Sequence, residues 1–355
     1  MHCFAIACLA SIIWFAVGYS LALTPGNEDG WIGGQAAFFL QNLSIDSLNG
    51  DHPETVWIMF QMTFAIITPG LIVGAFVERI KFSAVLLFSA IWLVVVYCPV
   101  CYWVWGGGWL AERGVIDFAG GIVVHATAGA SALTLAAMLG RRHGFPRNLK
   151  PPHNPGMVMT GAAMLWVGWF GFNAGSALAA NFDAVVSFAN TNIASSTSMI
   201  TWVLYDRFLN RKISAVNACV GAIVGLVAIT PAAAFVSLSH AIVIGFVSAL
   251  VCNLFMNWIK QKSFVDDTLD VFATHGLGGI CGMILTAVFA KDVGLVYGHH
   301  QTLILHLIAC FIVIVFVLAG SFLIYKIVDV LLPLRVRGDQ EEKGLDQSQH
   351  GEVVS

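Results

Sequence analysis

Residues 117–129 read DFAGGIVVHATAG, and residues 266–276 read DDTLDVFATHG. In each stretch a histidine follows an aspartate by eight residues: His125 follows Asp117, and His275 follows the second aspartate of its own stretch. If both stretches are helical, a rise of 1.5 Å per residue puts each histidine roughly 12 Å beyond its aspartate. The two stretches therefore predict a pair of helices that carry a histidine at the same distance from the helix start.

The composition around these stretches is that of a membrane protein. Of 355 residues, 58% are hydrophobic and 10% are charged, with a mean hydropathy of +0.82. A soluble domain carries roughly 25% charged residues, and a net charge of −3 does not indicate nucleic-acid binding. Apolar runs long enough to span a bilayer need about 18 or more residues. The sequence predicts an all-α polytopic protein with about ten transmembrane helices, at 3–23, 56–77, 83–105, 119–140, 157–177, 184–205, 214–230, 240–259, 270–290 and 303–332.

Basic residues are concentrated on one side of the predicted membrane. If the first span leads outward, 15 of the 17 Lys and Arg residues lie on the inner side, and only Arg113 and Lys291 lie outside. This asymmetry follows the positive-inside rule and predicts that both termini are cytoplasmic. The outer loop 24–54 has no Lys or Arg and carries Glu28, Asp29, Asp46, Asp51 and Glu54. The inner basic residues are Arg79, Lys81, Arg141, Arg142, Arg147, Lys150, Arg207, Arg211, Lys212, Lys260, Lys262, Lys326, Arg335, Arg337 and Lys343.

The two histidines fall at matched depth in this topology. His125 is reached from the outer side and His275 from the inner side, so both lie near the midplane of a core about 30 Å thick. Ionisable residues inside a membrane mark functional sites, and inverted repeats place transport sites between their halves at the midplane. The pattern predicts an inverted repeat with a histidine pair on the transport path. The alternatives are a structural hydrogen-bonding role or a metal site, for which no third ligand is evident.

Asp117 has two interpretations. It precedes a helix and is followed closely by glycines, which is typical of an N-cap. A carboxylate near the outer mouth also favours cations without touching them. The sequence leaves both roles open.

Four more side chains are predicted to lie toward the outer ends of their spans. Trp105 ends its span in VWGGG, Phe172 and Ser176 lie in GWFGFNAGS, and Phe64 lies in FQMTF. Aromatic faces attract cations, and a serine hydroxyl accepts a hydrogen bond from an ammonium N–H group. The alternatives are a place in the interfacial aromatic belt for Trp105 and core or lipid packing for the phenylalanines.

In order along the chain, these motifs resemble the ammonium transporter family, which includes the Rh proteins, and most closely its bacterial Amt branch. The likeness covers essentially the whole chain. It is carried by GLIVGAFVERIKFSA (70–84), VWGGG (104–108), DFAGGIVVHATAG (117–129), GWFGFNAGSA (168–177), GLVAITPA (225–232), DDTLDVFATHGLGG (266–279) and GLDQSQHGE (344–352).

The resemblance implies a role for each candidate residue. Trp105, Ser176 and Phe64 would form an outer recruitment site for ammonium, and Asp117 would be the acidic residue that supports this site. Phe64 and Phe172 would form a stacked gate below it. His125 and His275 would form a twin-histidine pair in a narrow hydrophobic pore.

The resemblance also implies an assembly and a partner. The family is trimeric, with one pore per subunit, and its cytoplasmic tail commonly meets a PII-type signalling protein. We expect a transmembrane domain over 1–334 and a tail over 335–355, in which Arg337 stands where the bacterial pattern usually has proline. The first span matches the family's second helix, so the family's first helix is expected to be missing.

These observations predict an ammonium channel-transporter of the inner membrane. Ammonium, or methylammonium as its analogue, would dock outside, lose its proton near the gate and cross as ammonia past the histidines. The alternatives are an ammonium sensor that signals through a PII-type partner and an inactive fragment of a transporter. An enzyme is not expected, because no nucleophile–base constellation or metal triad is evident, and no cofactor is implied.

Overall fold

A computed structural model describes residues 1–26, 30–149, 151–262 and 264–353 of the chain. Glu28, Asp29 and Lys150, which contribute to the charge asymmetry, lie outside the described residues, as do the last two residues of the predicted tail. We call the end of the molecule that holds Asp117 the outer end and the opposite one the inner end, following the charge asymmetry.

Ten helices of 15 or more residues occur within the described ranges, in the order that the sequence predicts. They are α1 His2–Leu23, α2 Glu54–Ala75, α3 Phe82–Glu112, α4 Gly121–Leu139, α5 Pro155–Gly175, α6 Phe182–Phe208, α7 Ala215–Ile229, α8 Leu238–Lys262, α9 Phe272–Phe289 and α10 Gln301–Leu331. The smaller elements are the helical turns Phe38–Leu40, Leu295–Tyr297, Gly338–Lys343 and Asp346–His350, and a two-stranded antiparallel ribbon of Leu48–Asn49 and His52–Pro53.

Eight of these helices are long and apolar enough to cross a membrane. Of the other two, α7 has only 15 residues, and α6 has 27 but carries a buried polar face. That face is stabilised by bonds to neighbouring carbonyls: Ser195 Oγ donates to Ala222 O at 3.0 Å, and Ser198 Oγ donates to Gly221 O at 2.6 Å. The all-α polytopic fold is therefore confirmed. The polar face of α6 is buried against neighbouring helices because its side chains find hydrogen-bond partners there.

Local sequence sets several helix starts. At α5, Asn154 Oδ1 accepts a hydrogen bond from Met157 N at 3.0 Å, and Pro155 occupies the first helical position. At α6, Asn181 Oδ1 accepts from Ala184 N at 3.0 Å. Both are side-chain N-caps, which satisfy amide groups that would otherwise have no partner at a helix start.

The helices α4 and α9 cross where glycines replace larger side chains. A Cβ atom added at Gly129 would lie 2.2 Å from Gly276 Cα, and one added at Gly279 would lie 2.5 Å from Gly121 O. Because residue 129 meets 276 while residue 121 meets 279, the two helices run in opposite directions. The glycines of HATAG and HGLGG thus let the two histidine-bearing helices pack backbone against backbone.

A buried arginine joins the inner ends of several helices. The Arg79 guanidinium is fully buried and donates to Ala75 O, to Gly140 O at 2.5 Å and to Asp266 O at 2.7 Å. The Asp266 carboxylate lies 3.6 Å from Arg79 and 3.1 Å from Arg142. This cluster fixes the end of α2 and the end of α4 to the segment that precedes α9.

The C-terminal segment packs on the same inner surface. Arg335 donates to Leu139 O at 2.6 Å, and Gln349 Oε1 accepts from Phe82 N at 2.9 Å. Lys81 N also donates to Leu334 O at 2.9 Å. The segment that follows α10 is therefore held against the inner ends of α3 and α4.

Candidate functional site

The two histidines lie side by side at the crossing of α4 and α9. Their side chains are buried, with 1% of His125 and 8% of His275 exposed. The two Nδ1 atoms are 3.3 Å apart, and the rings are 5.2 Å apart with an interplanar angle of 27°. A hydrogen bond between two imidazole nitrogens requires that one donates and the other accepts. One Nδ1 atom therefore carries the shared proton, and the other accepts it through its lone pair.

Local backbone geometry sets how each histidine points. His125 lies in a π-helical turn, Gly121–Ala126, in which His125 N donates to Gly120 O at 3.0 Å across five residues. His275 lies in a second π-helical turn, Phe272–Gly276. Single π turns inside α-helices occur frequently at functional sites. The two halves of the site are therefore built alike.

A cavity of about 240 Å³ surrounds the histidine pair. Apart from the histidines, its lining is apolar or aromatic and carries no charged side chain: Ile67, Leu71, Met164, Leu165, Gly168, Trp169 and Phe172. The Trp169 ring stacks on His125 at 5.2 Å and 22°. Among the described residues, His125 Nε2 has no hydrogen-bond partner. This nitrogen is available to a small polar molecule in the cavity.

Two phenylalanines in contact line this cavity and the outer one. Phe64 lines a larger outer cavity of about 420 Å³, whereas Phe172 lines the histidine cavity. Their ring centroids are 4.5 Å apart with a tilt of 48°. The two cavities therefore meet at this pair of rings, with one ring in the wall of each.

The other candidate residues from the sequence line the outer cavity. Trp105, Ser176 and Asp117 line it together with Phe64. The Trp105 ring meets Phe64 edge to face at 5.3 Å, and its Nε1 donates to Asp117 O at 2.8 Å. Ser176 Oγ donates to Phe172 O at 2.9 Å, which uses its proton and leaves its lone pairs as acceptors. The cavity thus combines aromatic faces with an oxygen acceptor.

The Asp117 carboxylate is fully engaged by the backbone of α4. Its Oδ1 accepts from Gly120 N at 2.9 Å and Gly121 N at 2.6 Å, and its Oδ2 accepts from Ile122 N at 2.9 Å and Val123 N at 3.2 Å. Burial raises the pKa of this carboxyl above its usual value, and the four N–H groups act against that rise. The geometry is that of an N-cap, so Asp117 stabilises the histidine helix and acts on the cavity only through space.

A second aspartate has the corresponding place at the inner end. Asp267 Oδ2 accepts from Phe272 N at 2.7 Å, at the first residue of α9. Burial, with a smaller contribution from Asp270, raises the pKa of Asp267 to about 7. Both aspartates of the sequence pattern therefore cap the helix that carries the following histidine.

No group of three or more His, Cys, Asp or Glu side chains is arranged to hold a metal ion in the part of the chain that the structure describes. Two residues of the site were not identified from the sequence. Trp169, which stacks on His125, stands in an aromatic-rich span where nothing distinguishes it from packing residues. Gln61, which lines the outer cavity, is the amide side chain of a mainly apolar helix, and a single amide does not change the apolar pattern of that helix.

Comparison with known proteins decides the family. The model of the Ammonium Transporter Family matches residues 1–355. The chain belongs to the ammonium transporter family. Among its relatives, the ammonium transporter of Bacillus subtilis (strain 168) is 43% identical over 99% of this chain and 88% of its own length. Ammonium transporter Amt1 of Archaeoglobus fulgidus is 40% identical over 97% of this chain and 86% of its own length.

Solved structures agree with this family assignment. The crystal structure of Candida albicans Mep2 is 35% identical, has a TM-score of 0.88, and matches 95% of this chain and 78% of that one. A structure titled Sensor Amt Protein is 27% identical, has a TM-score of 0.88, and matches 98% of this chain and 88% of that one. This family member is therefore a multi-pass membrane protein with the ammonium transporter fold.

Proposed function

We propose that this protein transports ammonium: it recruits the cation in the outer cavity, where the ion gives a proton to water near the phenylalanine pair, and it conducts the resulting ammonia past His125 and His275. The observation that carries the proposal is the histidine cavity. Its lining combines apolar and aromatic residues with two imidazole rings that can form hydrogen bonds, and it contains no Asp, Glu, Lys or Arg. Such a passage suits a small, neutral, polar molecule. Family membership and the names of the relatives support ammonium as the substrate.

The outer cavity supplies interactions suited to the cation. The faces of Trp105 and Phe64 attract a positive charge, and Ser176 Oγ offers lone pairs to an N–H donor. Cation–π attraction acts on potassium as well as on ammonium, since it depends on charge. Hydrogen bonding to an oxygen acts on ammonium, because only ammonium carries N–H groups.

Deprotonation follows from the cost of the inner passage. A charge at the centre of a bilayer costs several kcal/mol, and the histidine cavity offers no carboxylate to offset it. Ammonia avoids most of that cost, whereas potassium cannot release a proton. The phenylalanine pair lies where this selection has to occur, between the two cavities.

The histidines guide ammonia by hydrogen bonding. An imidazole offers one donor and one acceptor when neutral, and the pair shares one such bond through its Nδ1 atoms. His125 Nε2 then faces ammonia as a donor or an acceptor, depending on the tautomer. Uptake of a proton at Nε2 of the donor ring, transfer of the shared proton between the two Nδ1 atoms, and release of a proton from Nε2 of the other ring would pass one proton along the pair and reverse the two tautomers.

Replacement of either histidine tests the proposal. Uptake of labelled methylammonium by cells that lack their own ammonium transporters is expected to fall at least about tenfold in His125→Ala and in His275→Ala, since each change removes a hydrogen-bonding group from an apolar cavity. The exposed His300→Ala variant serves as the control and is expected to keep wild-type uptake. Unchanged uptake in both pore variants would remove the histidine pair from the mechanism.

Several broader features belong to the same proposal. We place the protein in the cell's inner membrane as a homotrimer with cytoplasmic termini, a transmembrane domain over 1–334 and a tail over 335–355 that contacts a PII-type protein. The charge asymmetry supports the cytoplasmic termini, and the likeness to the family supports the homotrimer and the contact with a PII-type protein. The sensor alternative is not favoured, because the relatives at 40% identity or more are named ammonium transporters.

A further inference from the structure

One face of α2 lines the outer cavity. Trp57, Phe60, Gln61 and Phe64 follow one another at spacings of three, one and three residues, so they lie on the same side of the helix. Three of the four are aromatic. The exception is Gln61, which carries a primary amide, whereas the Phe60 and Phe64 rings contact each other with centroids 5.0 Å apart.

The Gln61 amide lacks the partners that a buried amide requires. Only 5% of the residue is exposed, yet Oε1 has no hydrogen-bond partner among the described residues. Buried polar atoms are almost always paired, since an unpaired acceptor loses its bond to water without replacement. An acceptor held in this state beside a cavity indicates that a donor from the ligand completes it.

Two other side chains that carry oxygen atoms line the cavity, and their hydrogen bonds limit which ligand it can hold. The Asp117 carboxylate is already occupied by four backbone amides. The lone pairs of Ser176 Oγ remain available, since this atom gives its proton to Phe172 O. Among the side chains that line the cavity, Gln61 and Ser176 therefore carry the oxygen acceptors not already occupied by backbone amides, beside the faces of Phe64 and Trp105.

We propose that Gln61 is a specificity-determining residue of the outer cavity, whose Oε1 accepts a hydrogen bond from the bound ammonium ion and so favours it over potassium. This rests on the proposed function. Potassium sites in proteins use several carbonyl oxygens at once to replace the hydration shell. Ammonium needs fewer, because each N–H group is directed at one acceptor. An amide oxygen, a hydroxyl and aromatic faces suit ammonium and leave potassium poorly coordinated.

The ligand also determines the orientation of the amide. If the Gln61 NH₂ group faced the cavity, its positive end would repel any cation there. Oε1 toward the cavity is the orientation that a bound cation selects. Substitutions of Gln61 can therefore show whether the side chain acts as a hydrogen-bond acceptor or only fills space.

The test is methylammonium uptake with potassium as competitor, in cells that lack their own ammonium transporters. Gln61→Leu is expected to raise the half-saturating methylammonium concentration about tenfold or more, the cost of losing an acceptor for a charged donor. Its maximal uptake is expected to stay within about threefold. Potassium is expected to inhibit uptake at the same concentration as in the wild type. The preference for ammonium over potassium is therefore expected to fall. Gln61→Glu, which keeps an acceptor at the same reach, is expected to restore the low half-saturating concentration.

The exposed Gln41→Leu serves as the matched control and should leave both constants unchanged. Gln61→Met, whose unbranched shape is closer to glutamine, replaces the leucine variant if that one does not accumulate in the membrane. If uptake by Gln61→Leu or Gln61→Met keeps the wild-type half-saturating concentration, the role of Gln61 is wrong while the transport function stands. If the wild type itself takes up no methylammonium, the proposed function fails and this inference fails with it.

Discussion

Asp117→Ala is expected to abolish methylammonium uptake and to reduce the amount of folded protein that can be extracted from the membrane. The substitution removes the acceptor for four backbone N–H groups at the start of α4. Each buried donor left without a partner costs about 1–3 kcal/mol, so the total is a large share of the stability of a typical domain. The first turn of α4, which carries His125, is expected to unwind.

Two further variants separate the capping role of this carboxylate from its charge. Asp117→Asn keeps one oxygen acceptor but turns an NH₂ group toward two backbone N–H donors, and it is expected to lose most uptake. Asp51→Ala removes an exposed carboxylate from the outer loop and is expected to behave as the wild type. The measurements are uptake, and size-exclusion chromatography of the detergent-extracted protein. A folded Asp117→Ala protein with wild-type uptake would contradict the capping role.

Gly129→Ala is expected to lower uptake by more than about tenfold, although it adds a single methyl group. The new Cβ would lie 2.2 Å from both Cα and N of Gly276. Backbone atoms cannot rotate away as a side chain can, so α4 and α9 must separate. Overpacking of this kind costs about 1–3 kcal/mol. The separation also moves His275 away from His125. The Nδ1 atoms of these two histidines are 3.3 Å apart in the structure.

A glycine in open surroundings provides the control for this variant. A Cβ added at Gly161, in the middle of α5, would meet no heavy atom within 4 Å. Gly161→Ala is therefore expected to keep wild-type uptake and thermal stability, or to gain slightly in stability because alanine favours the helix. If Gly129→Ala and Gly161→Ala were equally active, the close crossing of α4 and α9 would not be needed to hold the histidine pair.

The sequence predicted the fold well because the bilayer imposes simple rules. Apolar runs had to be helices, and the lengths of those runs gave the ten helices in order. The eight-residue spacing from Asp117 to His125, repeated before His275, also indicated matched depth on antiparallel helices. That inference used only helical rise, and the 3.3 Å approach of the two rings agrees with it.

Other features could not be derived from the sequence because they depend on tertiary contacts. Arg79 was assigned to an inner connection, but its full burial was not foreseen, because it depends on the carbonyls from three segments and the Asp266 carboxylate that surround it. Gln61 gave no periodic signal, because a single amide does not change the apolar character of α2. The π turns of α4 and α9 leave no mark on the hydrophobic pattern.

Those π turns mean that each histidine-bearing helix contains one residue more than an ideal α-helix would use over the same path. Removal of one residue between Gly121 and Ala126 would restore regular α-helical winding. The flanking parts of the helix would keep their positions, whereas the side chains of the former π turn, His125 among them, would point in other directions. His125 could no longer face His275 while Gly129 still faced Gly276. The extra residue thus allows one helix to keep three contacts at once: the hydrogen bonds from its first turn to the capping aspartate, the contact between the two histidine rings, and the close crossing at the glycines.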